Sequence, residues 1–122
     1  MYRGAIILES LKTGATLEQI PLVVHRLTRQ SIDSASSAQP PVWSILEFEV
    51  DDAQAGALAD ALTRILDEPG WYADFHNEHE IFVVFPGRVF RYPHDDPAGR
   101  AEAQAFGRSL GIPEPQLDWA EG

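Results

Sequence analysis

Gly70 to Asp96, GWYADFHNEHEIFVVFPGRVFRYPHDD, decides the fold. Three runs rich in aromatic and β-branched residues are separated by turn chemistry and read as three antiparallel strands. Pro86-Gly87 suits the two central positions of a type II turn, with proline fixing the first φ and glycine supplying the positive φ of the second. If Phe85 pairs with Arg88, then Val84 pairs with Val89, Val83 with Phe90, Phe82 with Arg91 and Ile81 with Tyr92. A loop of Asn77 to Glu80 closes the other end, pairing His76 with Ile81 and Asp74 with Val83. A slip of one residue would exchange every face, so this register fixes which side chains lie together.

On that register Trp71, Ala73, Phe75, Phe82, Val84 and Val89 share one face, nearly all apolar, which is expected to meet the helices. The opposite face holds Tyr72, Asp74, His76, Ile81, Val83, Phe85, Arg88, Phe90 and Tyr92. It is apolar but studded with titratable groups, and in a one-layer sheet it needs a cover. The N-terminal strands, a second subunit in a sheet-to-sheet dimer, or a ligand could each supply it. Tyr72, Phe85, Arg88, Phe90 and Tyr92 are therefore the candidate ligand or interface residues.

Upstream, residues 2–11 alternate loosely and read as a strand. Leu22 to Leu27 follows Pro21, which cannot donate to a ladder, and reads as a second strand. Val42 to Val50, VWSILEFEV, is a third, with Leu46, Phe48 and Val50 on its core face and Ile45, Glu47 and Glu49 on the other. Glu47 and Glu49 are expected to meet Arg88 or Arg91. Between these strands, residues 31–41 (SIDSASSAQPP) form a low-complexity surface loop, read as mobile. Asp51-Asp52 caps a helix over Ala53–Leu66, whose Ala55, Leu58, Ala59, Leu62, Ile65 and Leu66 make one apolar stripe ended by Pro69-Gly70. Asp96-Pro97 starts the last helix, with Ala103, Phe106 and Leu110 inward and Gly111 as its stop. In the tail, residues 113–122, Leu117 and Trp119 are apolar enough to dock. The order β-β-β-α-β-β-β-α implies one α+β domain over residues 1–122. Its sheet is mostly antiparallel, ferredoxin-like in part, with both helices expected on one face.

The segments GWYADF, FPGRVFRYP and GIPEPQLDW resemble a family of small uncharacterised bacterial α+β proteins of similar length. The resemblance covers most of the chain and implies neither an activity nor any functional residue.

Length and composition bound the function. A chain of 122 residues can bury a core without staples, and without cysteine it has neither a disulfide nor a thiolate metal site. The net charge of −10, from 19 acidic and 9 basic residues, repels phosphate backbones and anionic lipid. Nucleic acid and membrane are therefore excluded as expected partners, and the short apolar run after Met1 neither spans a bilayer nor resembles a signal peptide. A cytoplasmic setting is the default.

The meander should bring His76, His79 and His94 to one end of the sheet beside Asp95 and Asp96. Imidazoles and carboxylates can ligate a metal. Here, however, they sit in turns, where solvated residues and a helix cap at Asp96 are the preferred reading. Asp74 and His76, two residues apart on one face, are the candidate acid/base pair; the competing reading is a structural pair of Asp74 with Arg88 or a backbone donor. Nucleophile elbows, phosphate loops and glycine-rich cofactor motifs are absent, and no cofactor is expected. The reading preferred from sequence is a non-catalytic domain that self-associates, as a dimer, or binds a protein or small-molecule partner through its open sheet face. A small metal-dependent or acid/base enzyme and an acidic inhibitor of a basic protein are the alternatives.

Overall fold

A computed structural model describes residues 1–33, 35, 37 and 39–119. Positions 34, 36 and 38 of the 31–41 loop and 120–122 of the tail lie outside the described residues. Six strands, β1 (Tyr2–Ile7), β2 (Leu22–Ser31), β3 (Val42–Val50), β4 (Ala73–His76), β5 (Glu80–Phe85) and β6 (Arg88–Pro93), form one sheet in the order β2-β3-β1-β4-β5-β6. Every neighbouring pair is antiparallel. Helix α1 (Ala55–Ile65) joins β3 to β4, and α2 (Pro97–Ser109) follows β6. The α+β class and the element order are those expected from the sequence.

The meander is built in the register that the Pro86-Gly87 turn implies. Phe85 pairs with Arg88, Val83 with Phe90 and Ile81 with Tyr92, and on the other side Asp74 pairs with Val83 and His76 with Ile81. Gly87 has φ +77°, the conformation its place in the turn demands.

β1 fills the middle of the sheet, between β3 and β4. Those two strands run parallel to each other and are joined by α1, so β3, α1 and β4 form one split β–α–β unit. The ferredoxin-like likeness stops there, because β4, β5 and β6 continue as a plain meander. Gly4 makes the central position of β1 possible. A Cβ there would lie 2.2 Å from the Asp74 carbonyl oxygen and 2.6 Å from Phe75 Cβ. Only a residue without a side chain lets β4 come this close.

The two helices take opposite faces of the sheet, which corrects the expectation of one shared face. α1 covers Tyr2, Ile6, Phe48, Val50, Phe75, Phe82 and Val84 with Ala55, Leu58, Ala59 and Leu62. Asp51 caps its approach by accepting from the Ala53 amide. α2 lies across Ile81, Val83, Phe85 and Tyr92 together with Ile112, Leu117 and Trp119 of the C-terminal segment. The physical reason is the parity of β5. Its six residues are buried or half-buried on both faces, so each face needs its own helix, as in a strand with apolar cover above and below. α2 fits because its contact line is small: a Cβ on Gly107 would already lie 2.7 Å from Leu117 and 3.3 Å from Phe85.

No helix among the described residues is long and apolar enough to cross a membrane.

Candidate functional site

On the α2 side of the sheet, cover ends at β4. From there the floor continues bare through β1 and β3, and the C-terminal segment overhangs it. The result is a cavity of about 310 Å³ lined by Ala5 and Ile7 of β1, Trp43 and Ile45 of β3, Tyr72 and Asp74 at β4, Pro115, Gln116 and Asp118 of the overhang, and Ile32, Gly70 and Trp71 at its end.

Each wall has a local cause. The overhang is held by Trp119, whose indole N–H donates to the Tyr92 hydroxyl at 2.6 Å and whose ring meets Tyr72 edge-on at 5.4 Å. The Tyr72 hydroxyl donates to the Gln116 carbonyl. Trp43 and Trp71 pack together at 5.3 Å between centroids, and the Trp43 indole donates to the Pro40 carbonyl at 2.9 Å. Trp71 precedes β4 and turns onto Trp43 instead of facing α1. At the rim, the buried side chains of Gln39 and Gln116 bond each other reciprocally, at 3.1 and 2.8 Å, and Gln39 also donates to the Gly70 carbonyl at 2.7 Å. The 31–41 loop is thereby tied to the overhang.

Asp74 is the chemically distinctive lining residue. Strand alternation puts Ala73 and Phe75 in the α1 core and turns Asp74 to the cavity side. Water reaches part of its surface through the cavity, yet protein packs closely around the carboxyl. It makes no hydrogen bond among the described residues. Burial, reinforced by the charge of Asp118 and opposed by that of Arg100, pushes its pKa up to about 7. Burial also drives the Tyr72 hydroxyl far above its ordinary value, with Asp74 and Asp118 adding to the effect.

The candidate residues divide into three groups. Tyr72 and Asp74 line the cavity. Phe85 and Tyr92 are buried, and Phe90 half-buried, beneath α2 and Trp119. Arg88 is exposed and lies over the Phe90 ring at 4.6 Å. The aromatic face expected to meet a partner is thus occupied by this chain's own helix and C-terminal segment, which corrects its assignment as an open surface. Neither pairing foreseen for Arg88 forms. Glu47 meets Arg26 at 3.7 Å and Glu49 meets His25, because β3 neighbours β1 and β2, far from β6; Arg91 instead pairs with Glu80 at 2.6 Å.

The histidines do gather at one end of the sheet. The His94 amide donates to the His79 carbonyl at 3.2 Å, the rings of His76 and His94 lie 6.1 Å apart, and the His94 ring contacts the Asn77 carbonyl. His76, His94 and Asp95 line an open hollow with Arg3, Glu49 and Glu78, whereas the His79 side chain is exposed to solvent. Burial and the neighbouring His94 lower the His76 pKa, which keeps it neutral near pH 7. No group of three His, Cys, Asp or Glu side chains among the described residues could hold a metal ion. Asp96 caps α2 by accepting from the Gly99 amide at 3.0 Å. Asp74 and His76, though two residues apart, open into different hollows.

Sequence reasoning reached Tyr72 and Asp74 by parity alone. It missed Gln39, Gln116 and Asp118, which come from a loop and a tail with no periodicity to read, and it missed that Ala5 and Ile45 would floor a cavity. Comparisons with protein-family profiles, curated proteins and solved structures found no significant match.

Proposed function

We propose that this is a non-catalytic binding domain that takes a small molecule in the cavity between the bare half of its sheet and the C-terminal segment. The observation that carries this reading is the Asp74 carboxyl. It is closely surrounded by protein, has no hydrogen-bond partner among the described residues, and borders an apolar-walled space of about 310 Å³. A few polar groups converging on a cavity with apolar walls are the usual form of a ligand site, and a ligand group that meets the carboxyl would take the place of the water that reaches it there. The volume lies at the lower end of such sites, so the ligand is small. The test is a thermal-shift screen of aromatic and aliphatic fragments on the wild type and on Ala5→Phe, which fills the cavity from its floor. Fragments that stabilise the wild type and not the variant support the reading. It fails if no fragment acts, or if all act equally on both proteins.

A second reading, self-association, is favoured by β2. This ten-residue strand lies at the edge of the sheet, with Val23, Val24 and Leu27 exposed at 52%, 54% and 59%. A long edge carrying exposed apolar side chains is a template for pairing with a second copy, and the irregularity at His25 protects only its middle. Light scattering on the wild type and on Leu27→Lys decides this: a dimer that the substitution dissolves supports it, and a monomer at high concentration refutes it.

A further inference from the structure

We propose that the cavity selects a small organic cation, an amine whose ammonium group is met by the Asp74 and Asp118 carboxylates and whose carbon body rests on Trp43, Ile45 and Tyr72. This deepens the reading of the cavity as a ligand site and rests on it.

The first argument is charge. Among the described residues, Asp74 and Asp118 are the cavity's ionisable carboxylates and no basic side chain lines it. The nearest cation, Arg100, is held over the Trp119 ring at 5.3 Å and borders a separate hollow with Ile81, Tyr92 and Pro97. An anionic ligand would meet two acids. A neutral one would add no charge to balance the two carboxylates, which Arg100 alone opposes at Asp74. An ammonium supplies both the charge and the donors, and charge-assisted hydrogen bonds are the stronger kind.

The second argument is the wall. Trp43, Trp71 and Tyr72 present aromatic surface, which attracts organic cations through the ring quadrupole. A bare divalent metal ion would need about six oxygen ligands, and beyond the two carboxylates the polar groups of this lining, the Tyr72 hydroxyl, the Gln116 side chain and the Gly70 carbonyl, are already hydrogen-bonded, the hydroxyl to the Gln116 carbonyl and the other two to Gln39.

The third argument is linkage. The groups that face Asp74 are Tyr72 just before its strand, Arg100 from α2, Tyr92 from β6 and Asp118 from the C-terminal segment. β1, β3 and β5 bring Ala5, Ile7, Trp43, Ile45 and Val83, which do not titrate; Glu47 of β3, one strand beyond Ala5 on the same face, is met by Arg26 at 3.7 Å. With Asp74 protonated, Asp118 and Arg100 offset each other. A cation that binds then does so with release of the Asp74 proton, so its affinity rises with pH through the region where that carboxyl ionises.

The experiment compares benzylamine, protonated throughout, with its neutral analogue benzyl alcohol, by NMR titration of the full chain between about pH 6 and pH 8. Benzylamine is expected to bind at least about tenfold more tightly at the upper pH and to lose about tenfold at the lower, following the ionised fraction of one carboxyl that titrates near 7. Asp74→Asn is expected to erase both the preference and the pH dependence while still binding benzyl alcohol. Asp118→Asn, which halves the carboxylate pair, is the second variant and should weaken the preference. If benzyl alcohol binds as tightly as benzylamine, or the preference survives Asp74→Asn, the cation assignment is overturned and the cavity stands as a site for neutral ligands. If neither compound binds and the fragment screen is also empty, both readings fall.

Discussion

Replacing Asp74 by asparagine should make the protein more stable, and increasingly so as pH rises. In the folded chain burial, the Asp118 charge and the opposing Arg100 set the carboxyl at about 7, against an ordinary 3.8. The folded state therefore holds a proton that the unfolded chain has already released over that window. The sign follows: the stability associated with the protonated carboxyl is complete below the unfolded value and is lost as pH climbs through the folded one. One full proton of difference amounts to ~1.4 kcal/mol per pH unit, so the interval from about pH 5 to pH 8 removes roughly 2 to 3 kcal/mol. Because the cavity admits water to the carboxyl, this is an upper figure. Asparagine keeps the shape and cannot ionise. Urea denaturation of both proteins at several pH values measures the gap between them, with every other titrating group cancelling in the difference. The gap at pH 8 should exceed that at pH 5 by roughly 2 to 3 kcal/mol. Two parallel stability curves would refute the placement of this carboxyl in a closely packed site.

Further substitutions test the frame that positions the cavity. Gly4→Ala should cost about 3 kcal/mol or prevent folding, because its Cβ would sit 2.2 Å from a backbone oxygen of β4 that cannot move aside; a loss below ~0.5 kcal/mol in chemical denaturation would contradict the close β1–β4 approach. Trp119→Ala should cost roughly 3 to 5 kcal/mol, since it removes a buried ring packed on Tyr72 and the indole bond to Tyr92, and fragment binding should weaken with it as the overhang loosens. Asp96→Ala should cost about 1 kcal/mol by removing the cap of α2, read as a lower urea midpoint with an unchanged slope.

The meander was legible because Pro86-Gly87 admits one turn type, and the turn fixes a register from which every facing pair follows. Helix α1 was legible from its stripe and from Asp51, which caps the short turn Asp52–Gln54 leading into it. The place of β1 was not, since alternation looks the same in an edge strand and a central one; what seats it between β3 and β4 is the missing side chain at Gly4, whose meaning appears only once Asp74 and Phe75 lie beside it. The side taken by α2 was equally hidden. An apolar stripe shows which face of a helix is inward, not which side of a sheet receives it. Of the site, Tyr72 and Asp74 followed from strand parity, whereas Asp118 comes from a tail without periodicity and the bonded pair Gln39 and Gln116 joins segments 77 residues apart.

The order in which this chain is synthesised differs from the order in which its surfaces can be satisfied. β1 is made first, yet its two neighbours are β3 and β4, so it must wait for more than sixty further residues before both its edges are paired. Once Pro93 has emerged, every strand exists and the α1 core can close. Ile81, Val83, Phe85 and Tyr92 then remain bare on the reverse side until α2 and the segment through Trp119 arrive. The nascent domain therefore passes through a stage with a complete sheet and one uncovered apolar face, the kind of surface that chaperones retain and that aggregates in their absence. The cavity over β1 and β3, walled by the last of these segments, forms only when that stage ends.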